Sequence, residues 1–262
     1  MKNIAFIGLG NMGRAIASGL VKGGAVAAGN IWGYAPNQAK LAAYCNELGI
    51  HACASALEAV ENADTVVMAV KPYIIEGVLN ELKEALKGKA VISVALGWDF
   101  ARLSGVLDES TRVQFVMPNT PAMVGAGVML FEQANSLLPD EHADIMEKFA
   151  VLGVVEELLS HLMGIGGAVS GCGPAFCALV IEALADAGVK YGLPRQTAYR
   201  LASKTLSGTG EMQLQTGMHP GAIKDGVCSP AGTTIRGVEA LERAGLRASL
   251  LDAVQAVMEK KA

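Results

Sequence analysis

Apolar residues follow two different patterns along this chain. Through the first 150 or so residues, short runs of consecutive apolar residues alternate with segments of helical periodicity. Strands are predicted at 3–8, 30–34, 64–70, 90–95, 112–117 and 127–131. Helices are predicted at 11–23, 37–48, 73–87 and 139–152, with a short one after Ser55. Strands that are apolar throughout are typical of a parallel sheet covered on both faces, so this region predicts a doubly wound α/β domain.

The pattern changes after about residue 158, where the strand-like runs stop. The rest of the chain predicts long helices at Gly173–Tyr191, Pro194–Gln215, Gly232–Ala244 and Leu246–Lys261. Pro194 and Pro220 mark helix starts, because a proline in the first helical position gives up no hydrogen bond. We therefore expect two domains, a Rossmann-type dinucleotide-binding domain at 1–157 and an all-helical domain at 158–262.

A glycine motif follows the first predicted strand. The run Ile4–Ile7 leads into Gly8, Gly10 and Gly13, and a helical segment follows. In this context G-x-G-x-x-G indicates a dinucleotide site: Gly8 makes the turn, Gly10 lets the backbone approach a pyrophosphate, and Gly13 lets helix and strand pack closely. A purely structural glycine turn is the alternative.

Ligands of a doubly wound sheet bind beyond the carboxyl ends of its strands. Five such ends carry small, polar or Pro/Gly residues: Gly8–Gly10, Gly33–Asn37, Ala69–Pro72, Ala95–Gly97 and Met117–Pro121. Lys71 could reach a ribose, a phosphate or a substrate, or it could be a solvated loop lysine. Asn119 either ties down its loop or faces the nicotinamide, since a buried amide needs partners.

The end of the second strand bears on the choice of cofactor. An NAD site usually offers Asp or Glu to the ribose 2′-hydroxyl about 20 residues beyond the glycines. Here Tyr34, Ala35, Pro36 and Asn37 occupy that place, with Lys40 one turn later. No carboxylate would repel a 2′-phosphate, which favours NADPH while leaving NADH open.

A second candidate anion site precedes the helix predicted at Ile235–Arg243. Ser229 is a candidate cap, and the N–H groups of Gly232, Thr233 and Thr234 are candidate free donors of the first turn. With two hydroxyls beside them, they suit a carboxylate. An ordinary capped helix is the alternative.

Composition limits the remaining classes of function. The chain is 52% hydrophobic with only 5% aromatic residues and 18% charged residues, so it predicts more apolar surface than a monomer exposes comfortably, and hence an oligomer. A net charge of −4 without a basic block argues against nucleic acid. Five cysteines without a CxxC pair predict reduced, mostly buried thiols in a cytoplasmic protein, and four scattered histidines predict no metal site.

Two uncharged runs are long enough for a membrane check. Val113–Phe131 contains polar residues and prolines, and Leu158–Ile181 contains six glycines or prolines. Both are too broken for membrane-spanning helices, and we interpret both as buried core.

The motifs together resemble one family, the pyrroline-5-carboxylate reductases. The resemblance runs from end to end through FIGLGNMG, AVKP, VMPNTPAMVGAG, SGCGPAF with IEALADAGVKYGLPR, and HPGAIKDGVCSPAGTTIRGVEALERAG. It implies reduction of 1-pyrroline-5-carboxylate to L-proline, the last step of proline biosynthesis, with NADPH or NADH as hydride donor. It also implies a homodimer through the helical domain, often within a larger ring.

The resemblance further implies which residues contact each ligand. Together with Asn119, the expected cofactor contacts are Gly8, Leu9, Gly10, Asn11, Met12, Ala35, Pro36, Asn37, Asn62, Ala69, Val70, Lys71, Pro72, Ala95 and Gly97. The expected substrate contacts are Ser229, Gly232, Thr233 and Thr234, and Thr234 is the candidate catalytic residue near the imine nitrogen or the carboxylate.

The chain departs from the family pattern in two places. It has Gly33-Tyr34-Ala35 where relatives often carry an Asn-Arg-Ser-like run, and Gly164, Gly167 and Cys172 replace an Asp, a Thr and a Ser. The alternatives are a β-hydroxyacid dehydrogenase and a non-catalytic NADP-binding regulator. The first needs a lysine early in the interdomain helix, and none lies between Ser170 and Ala185. The second needs no anion pocket, so the candidate anion site at Ser229–Thr234 argues against it.

Overall fold

The apolar runs of the N-terminal region form one eight-stranded sheet in the computed structural model, which describes residues 1–259. The strands are Ile4–Ile7 (β1), Ile31–Tyr34 (β2), His51–Ala52 (β3), Thr65–Met68 (β4), Ala90–Ser93 (β5), Arg112–Pro118 (β6), Gly127–Asn135 (β7) and Gly153–Leu158 (β8). Their order is β3-β2-β1-β4-β5-β6-β7-β8. The first six strands are parallel and follow the doubly wound order, which confirms the predicted fold class.

The register of the parallel strands positions the candidate cofactor site. Ile7 lies opposite both Tyr34 and Met68, and Met68 lies opposite Ser93. The carboxyl ends of β1, β2, β4 and β5 therefore meet at one edge of the sheet. Only beyond β6 does the direction reverse, because β7 pairs with β6 in the antiparallel sense.

Helices cover both faces of the sheet. They are Asn11–Lys22 (α1), Gln38–Leu48 (α2), Ala56–Glu61 (α3), Ile75–Leu86 (α4), Phe100–Val106 (α5), Pro139–Phe149 (α6) and Met163–Ser170 (α7). Successive residues of β1 alternate between two apolar clusters: Ile4 and Phe6 belong to one, Ala5 and Ile7 to the other. This is why the strand is apolar at every position.

Four elements of this region escape the sequence pattern. β3 is only two residues long, and α5 is a single short helix of seven residues. β8 has exposed Glu156 and Glu157 on the open edge of the sheet, so its run is not continuously apolar. α7 contains three glycines, which hide its helical periodicity.

The chain divides into two compact units, Met1–Gly171 and a second that begins at Cys172. The first unit extends past residue 157 because α7 packs on β7. The functional boundary between 157 and 158 stays a prediction.

The second unit consists of helices. They are Gly173–Lys190 (α8), Arg195–Thr216 (α9), Pro220–Val227 (α10), Thr233–Arg243 (α11) and Leu246–Met258 (α12). The helix predicted to end at Lys261 extends partly outside the described residues. α8 and α9 pack through three small buried side chains, Ala185, Ala198 and Ala202. A core this small leaves much apolar surface exposed.

The interpretation of Leu158–Ile181 as buried core is wrong for the single chain. Val169 is 60% exposed and Leu179 is 65% exposed. Within residues 1–259, Ser160–Lys190 is the one stretch whose length and apolar composition would suffice to cross a membrane. In contrast, the strands within Val113–Phe131 are buried as expected. All five cysteines are free. Only Cys45 and Cys53 are buried, so the expectation of mostly buried thiols is wrong.

Candidate functional site

The glycine turn between β1 and α1 has the geometry that its spacing predicts. Gly8 has φ +100°, and a Cβ there would lie 2.7 Å from the Ala69 carbonyl oxygen. A Cβ at Gly13 would lie 2.2 Å from the Gly8 carbonyl oxygen. A Cβ at Gly10 would meet nothing within 4 Å. The first and third glycines are therefore required by neighbouring backbone, whereas Gly10 borders open space.

The start of α1 fits a negatively charged group. Gly10 is its N-cap and supplies no side-chain hydrogen bond, and the first turn holds no acidic residue. The first-turn N–H groups have no acceptor within the helix, and they lie at the positive end of its dipole. Backbone donors beside open space at Gly10 are what a pyrophosphate requires.

The other candidate cofactor residues follow neighbouring strands at the same edge of the sheet. The Gly8 N–H donates to the Tyr34 carbonyl (2.9 Å) and the Ala69 N–H to the Ile7 carbonyl (2.9 Å), which joins three of these loops. The candidate cofactor residues that lie together at this edge are Gly8–Met12, Ala35–Asn37, Ala69–Pro72, Ala95 and Gly97. Lys71 is exposed, and its ammonium forms no hydrogen bond or ion pair with another of the described residues.

Asn62 lies at the opposite edge of the sheet from these residues. It is the C-cap of α3, and its amide donates to the Glu58 carbonyl at 2.8 Å. It lines an open polar pocket with residues that precede β1, β4 and β5, including Asn3, Asp64 and Lys89. Because the strands are parallel, this edge holds their amino ends, and the expectation of a cofactor contact at Asn62 does not fit the structure.

Asn37 caps α2 and leaves donors free beside it. Its side-chain oxygen accepts from the Lys40 N–H at 3.0 Å, so the amide NH₂ remains available to a ligand. Arg14 was missed by the sequence patterns. Its guanidinium donates to the Leu9 carbonyl (3.1 Å) and the Lys40 carbonyl (3.4 Å), which connects the glycine turn to the start of α2.

Tyr44 contacts Arg14 through both its hydroxyl and its ring. Its hydroxyl donates to the Arg14 carbonyl at 2.9 Å, and the guanidinium lies 4.6 Å from the ring centre. Burial raises the pKa of Tyr44 to about 12, so the phenol stays neutral and keeps donating at physiological pH.

Two of the departures from the family pattern, Gly33 and Gly167, have a steric reason. A Cβ at Gly33 would lie 2.3 Å from Leu9 Cδ1, because the Leu9 side chain packs over that position. Likewise, a Cβ at Gly167 would lie 2.4 Å from the Met117 sulfur. Gly164 is exposed, and Cys172 is the N-cap of α8 without a side-chain cap. At positions 33 and 167, therefore, the Leu9 and Met117 side chains leave no room for a Cβ, whereas nothing in the structure explains Gly164 or Cys172.

Asn119 ties its loop to α7. Its Nδ2 donates to the Ser170 carbonyl (2.9 Å), and its Oδ1 accepts from the Val128 N–H (2.9 Å). The residue is only 7% exposed. Of the two interpretations offered by the sequence, these contacts support the structural one.

The second candidate site is the turn before α11. The Gly232 N–H donates to the Ser229 carbonyl at 3.0 Å, and Gly232 rather than Ser229 is the N-cap. The free donors of the first turn therefore belong to Thr233, Thr234 and the residue after them. Ser229, Thr233 and Thr234 are all exposed. Ala231, between them, has φ +59° and is the one non-glycine residue with positive φ in residues 1–259.

Known protein families match both the N-terminal and the C-terminal part of the chain. A family model described as "Pyrroline-5-carboxylate reductase dimerisation" matches residues 160–262, and one described as "NADP oxidoreductase coenzyme F420-dependent" matches residues 3–97. The pyrroline-5-carboxylate reductase of Treponema pallidum is 44% identical over 98% of both chains. That of Escherichia coli is 42% identical over 99% of this chain and 97% of its own.

The chain belongs to the pyrroline-5-carboxylate reductase family. A solved structure of the Plasmodium falciparum pyrroline carboxylate reductase with NADP bound has a TM-score of 0.87 at 32% identity, covering 98% of this chain and 96% of its own. A 3-hydroxyisobutyrate dehydrogenase from Mycobacterium tuberculosis has a TM-score of 0.53 at 17% identity, over 84% of this chain and 72% of its own. That likeness concerns the fold alone. Among residues 1–259, no group of three or more His, Cys, Asp and Glu side chains could hold a metal ion.

Proposed function

We propose that the carboxyl edge of the sheet binds the cofactor of this reductase and that the start of α11 binds the carboxylate of its substrate. Family membership makes the chain an NAD(P)-dependent oxidoreductase that reduces 1-pyrroline-5-carboxylate to L-proline in proline biosynthesis. The cofactor is NADP(H). NADPH is the preferred form in our proposal, because Asn37 and Lys40 replace the acidic residue of an NAD site.

The observation that carries the substrate proposal is the first turn of α11. It offers free N–H groups at a positive helix end, with exposed hydroxyls of Ser229, Thr233 and Thr234 beside them. A planar carboxylate accepts hydrogen bonds from such a set through both oxygens. Charge-assisted hydrogen bonds of this kind are the strong ones.

The main task of the side chains in this reaction is to position the substrate. NADPH, when bound, supplies the hydride that the imine carbon receives. A protonated imine is already electrophilic, so the residues act by holding the carboxylate and thereby orienting that carbon. Thr234 is the candidate residue to touch the reacting part of the substrate, by a hydrogen bond near the imine nitrogen or to the carboxylate.

Initial rates of NADPH and NADH oxidation with pyrroline-5-carboxylate test both parts of the proposal. Replacement of Thr234 by Ala removes a hydrogen bond to a charged group, and we expect the KM for pyrroline-5-carboxylate to rise by about tenfold or more. Thr234→Ser, which keeps the hydroxyl, is the matched control and should stay near the wild type. No turnover by the wild type would overturn the reductase function, and an unchanged KM in Thr234→Ala would overturn the carboxylate site.

The exposed apolar surface of the helical unit supports a homodimer. Leu179 and Leu184 on α8 and Leu201 and Leu214 on α9 are each at least half exposed. A groove of about 590 Å³ beside them is lined by Ala175, Ala178, Leu179, Ile181, Glu182 and Tyr199. Monomeric soluble proteins rarely expose contiguous apolar surface of this kind. We place a second copy of the chain on it, rather than lipid, because the family model for this region describes dimerisation.

Light scattering on detergent-free protein tests this assembly. We expect a mass of two 27.1 kDa chains, or of a larger ring built from such dimers. A monomer under these conditions would contradict the proposal.

A cytoplasmic location is part of the same proposal, since all five cysteines are free.

A further inference from the structure

Trp98 is a large buried side chain beside the candidate cofactor site, and no motif of the sequence points to it. It lies in the segment between β5 and α5, directly after Gly97. It is 1% exposed and heads the fully buried side chains of residues 1–259 by volume. An indole in such a place needs a partner for its N–H.

The indole N–H joins two loops of the proposed site. Nε1 donates to the Pro72 carbonyl oxygen at 3.1 Å. The backbone N–H of Trp98 donates to the Ala95 carbonyl at 3.1 Å, which closes a turn that contains Gly97 at φ +77°. The side chain thus links the loop after β5 (Ala95–Gly97) to the loop after β4 (Lys71–Pro72), beyond the point where the sheet hydrogen bonds of these strands stop.

The backbone that directly follows Trp98 is held by two hydrogen bonds. Asp99 caps α5 by accepting from the Arg102 N–H at 3.0 Å. The carboxylate of Glu132, which is 2% exposed, accepts from the Phe100 N–H at 2.7 Å. With the backbone held at Asp99 and Phe100 and the side chain 1% exposed, the indole has little room to move away from Pro72.

The outer face of the indole is covered from α5. The Arg102 guanidinium lies 3.9 Å from the ring centre, and it pairs with Glu76 in the first turn of α4 at 3.5 Å. The buried indole hydrogen bond therefore joins the two loops directly, and an exposed ion pair joins the helices that follow them, α4 and α5. The exposed pair contributes little on its own, so the buried bond is the stronger link.

We propose that Trp98 is a positioning residue for NADP(H), whose indole N–H holds the loops after β4 and β5 at the separation that the cofactor requires. This inference rests on the proposed cofactor site. A residue that only filled the core would affect the stability of the fold. A residue that sets the distance between two binding loops affects cofactor affinity in protein that is still folded.

The test compares two substitutions of the same kind in the assembled enzyme. Trp98→Phe removes the indole N–H and leaves the Pro72 carbonyl oxygen without its hydrogen-bond donor. We expect the Kd and the KM for NADPH to rise by about tenfold. The KM for pyrroline-5-carboxylate should stay unchanged, because its proposed site lies at α11. Trp32→Phe is the control, since Trp32 lies on β2 and stacks on His51 with ring centres 5.0 Å apart. It should leave all three constants unchanged.

A second variant separates the hydrogen bond from the packing. Incorporation of β-(3-benzothienyl)alanine at position 98 keeps the shape of the indole and has no N–H. The same rise in the Kd for NADPH is expected, with a melting temperature near that of the wild type. A wild-type Kd in this variant, or in a folded Trp98→Phe enzyme, would overturn the positioning role. If the wild type itself bound no NADPH by calorimetry, the proposed function would fail instead.

Discussion

Two helices of this molecule begin alike but are supported differently. α1 and α11 each have a glycine as N-cap, Gly10 and Gly232, and neither first turn receives a side-chain cap. The turn before α1 is enclosed by backbone of β1 and of the loop after β4, as the 2.7 Å approach of a Gly8 Cβ to the Ala69 oxygen shows. The turn before α11 is formed by its own residues and is exposed.

The difference teaches where each proposed site obtains its shape. The cofactor end is fixed by a sheet that must form for the unit to fold at all. The substrate end depends on the local turn from Ser229 to Gly232, which includes the strained backbone of Ala231. Substitutions at the enclosed glycines of the first, Gly8 and Gly13, should therefore damage fold and binding together, whereas substitutions at the second should change substrate binding in a stable protein.

The largest effect is expected for Gly13→Ala. The added Cβ would lie 2.2 Å from the Gly8 carbonyl oxygen, which is backbone and cannot move without opening the turn. We expect the free energy of unfolding, from urea titration, to fall by about 3 kcal/mol. NADPH binding should be lost as well.

Gly77→Ala in α4 is the control for that substitution, because its Cβ would meet nothing within 4 Å. It should raise the free energy of unfolding by up to about 1 kcal/mol, since alanine favours a helix more than glycine does. A Gly13→Ala protein as stable as the wild type and able to bind NADPH would refute the enclosed turn.

Gly232→Ala should act on the substrate alone. Its Cβ would lie 2.4 Å from the Ser229 Oγ and 3.0 Å from the Ser229 carbonyl oxygen, so the Ser229 hydroxyl must rotate away and its carbonyl must shift slightly. Because this displaces the Ser229 hydroxyl and shifts the donors of the proposed carboxylate site, we expect the KM for pyrroline-5-carboxylate to rise roughly tenfold. Gly237→Ala, in the same helix and with nothing within 4 Å, should leave this KM unchanged.

The smallest effect is expected for Ala231→Gly. A left-handed conformation costs a non-glycine residue about 1–2 kcal/mol. The extra freedom of an unfolded glycine costs about 0.5–1 kcal/mol. The balance predicts a gain of about 0.5 kcal/mol in the free energy of unfolding, measured in urea. A loss of stability would show that the turn is not strained at Ala231.

Much of the nucleotide-binding unit could be predicted, because its strands are buried on both faces and their apolar runs are unambiguous. The glycine spacing also indicates the roles of Gly13, which lies against the Gly8 carbonyl of the same strand–turn–helix unit, and of Gly8, which lies against Ala69 after the neighbouring parallel strand. β8 and α7 were missed because an exposed edge strand and a glycine-rich helix lack a clear period.

The candidate site was less predictable where residues meet across the fold. Asn62 was chosen by resemblance, and only the sheet topology shows that it lies at the amino edge. Arg14 and Trp98 bind carbonyl oxygens 5 and 26 residues away, and no local pattern encodes such contacts. The exposed apolar face of α8 was predicted to be core because a single chain does not reveal what covers a helix.

The most direct test of two separate anion sites is the kinetics of Gly10→Ala with both substrates varied, set beside Gly232→Ala. A Cβ at Gly10 meets no protein atom within 4 Å, so the melting temperature should match the wild type. We expect Gly10→Ala to raise the KM for NADPH and leave the KM for pyrroline-5-carboxylate unchanged, and Gly232→Ala to do the reverse. A Gly10→Ala enzyme with a wild-type KM for NADPH would contradict the account.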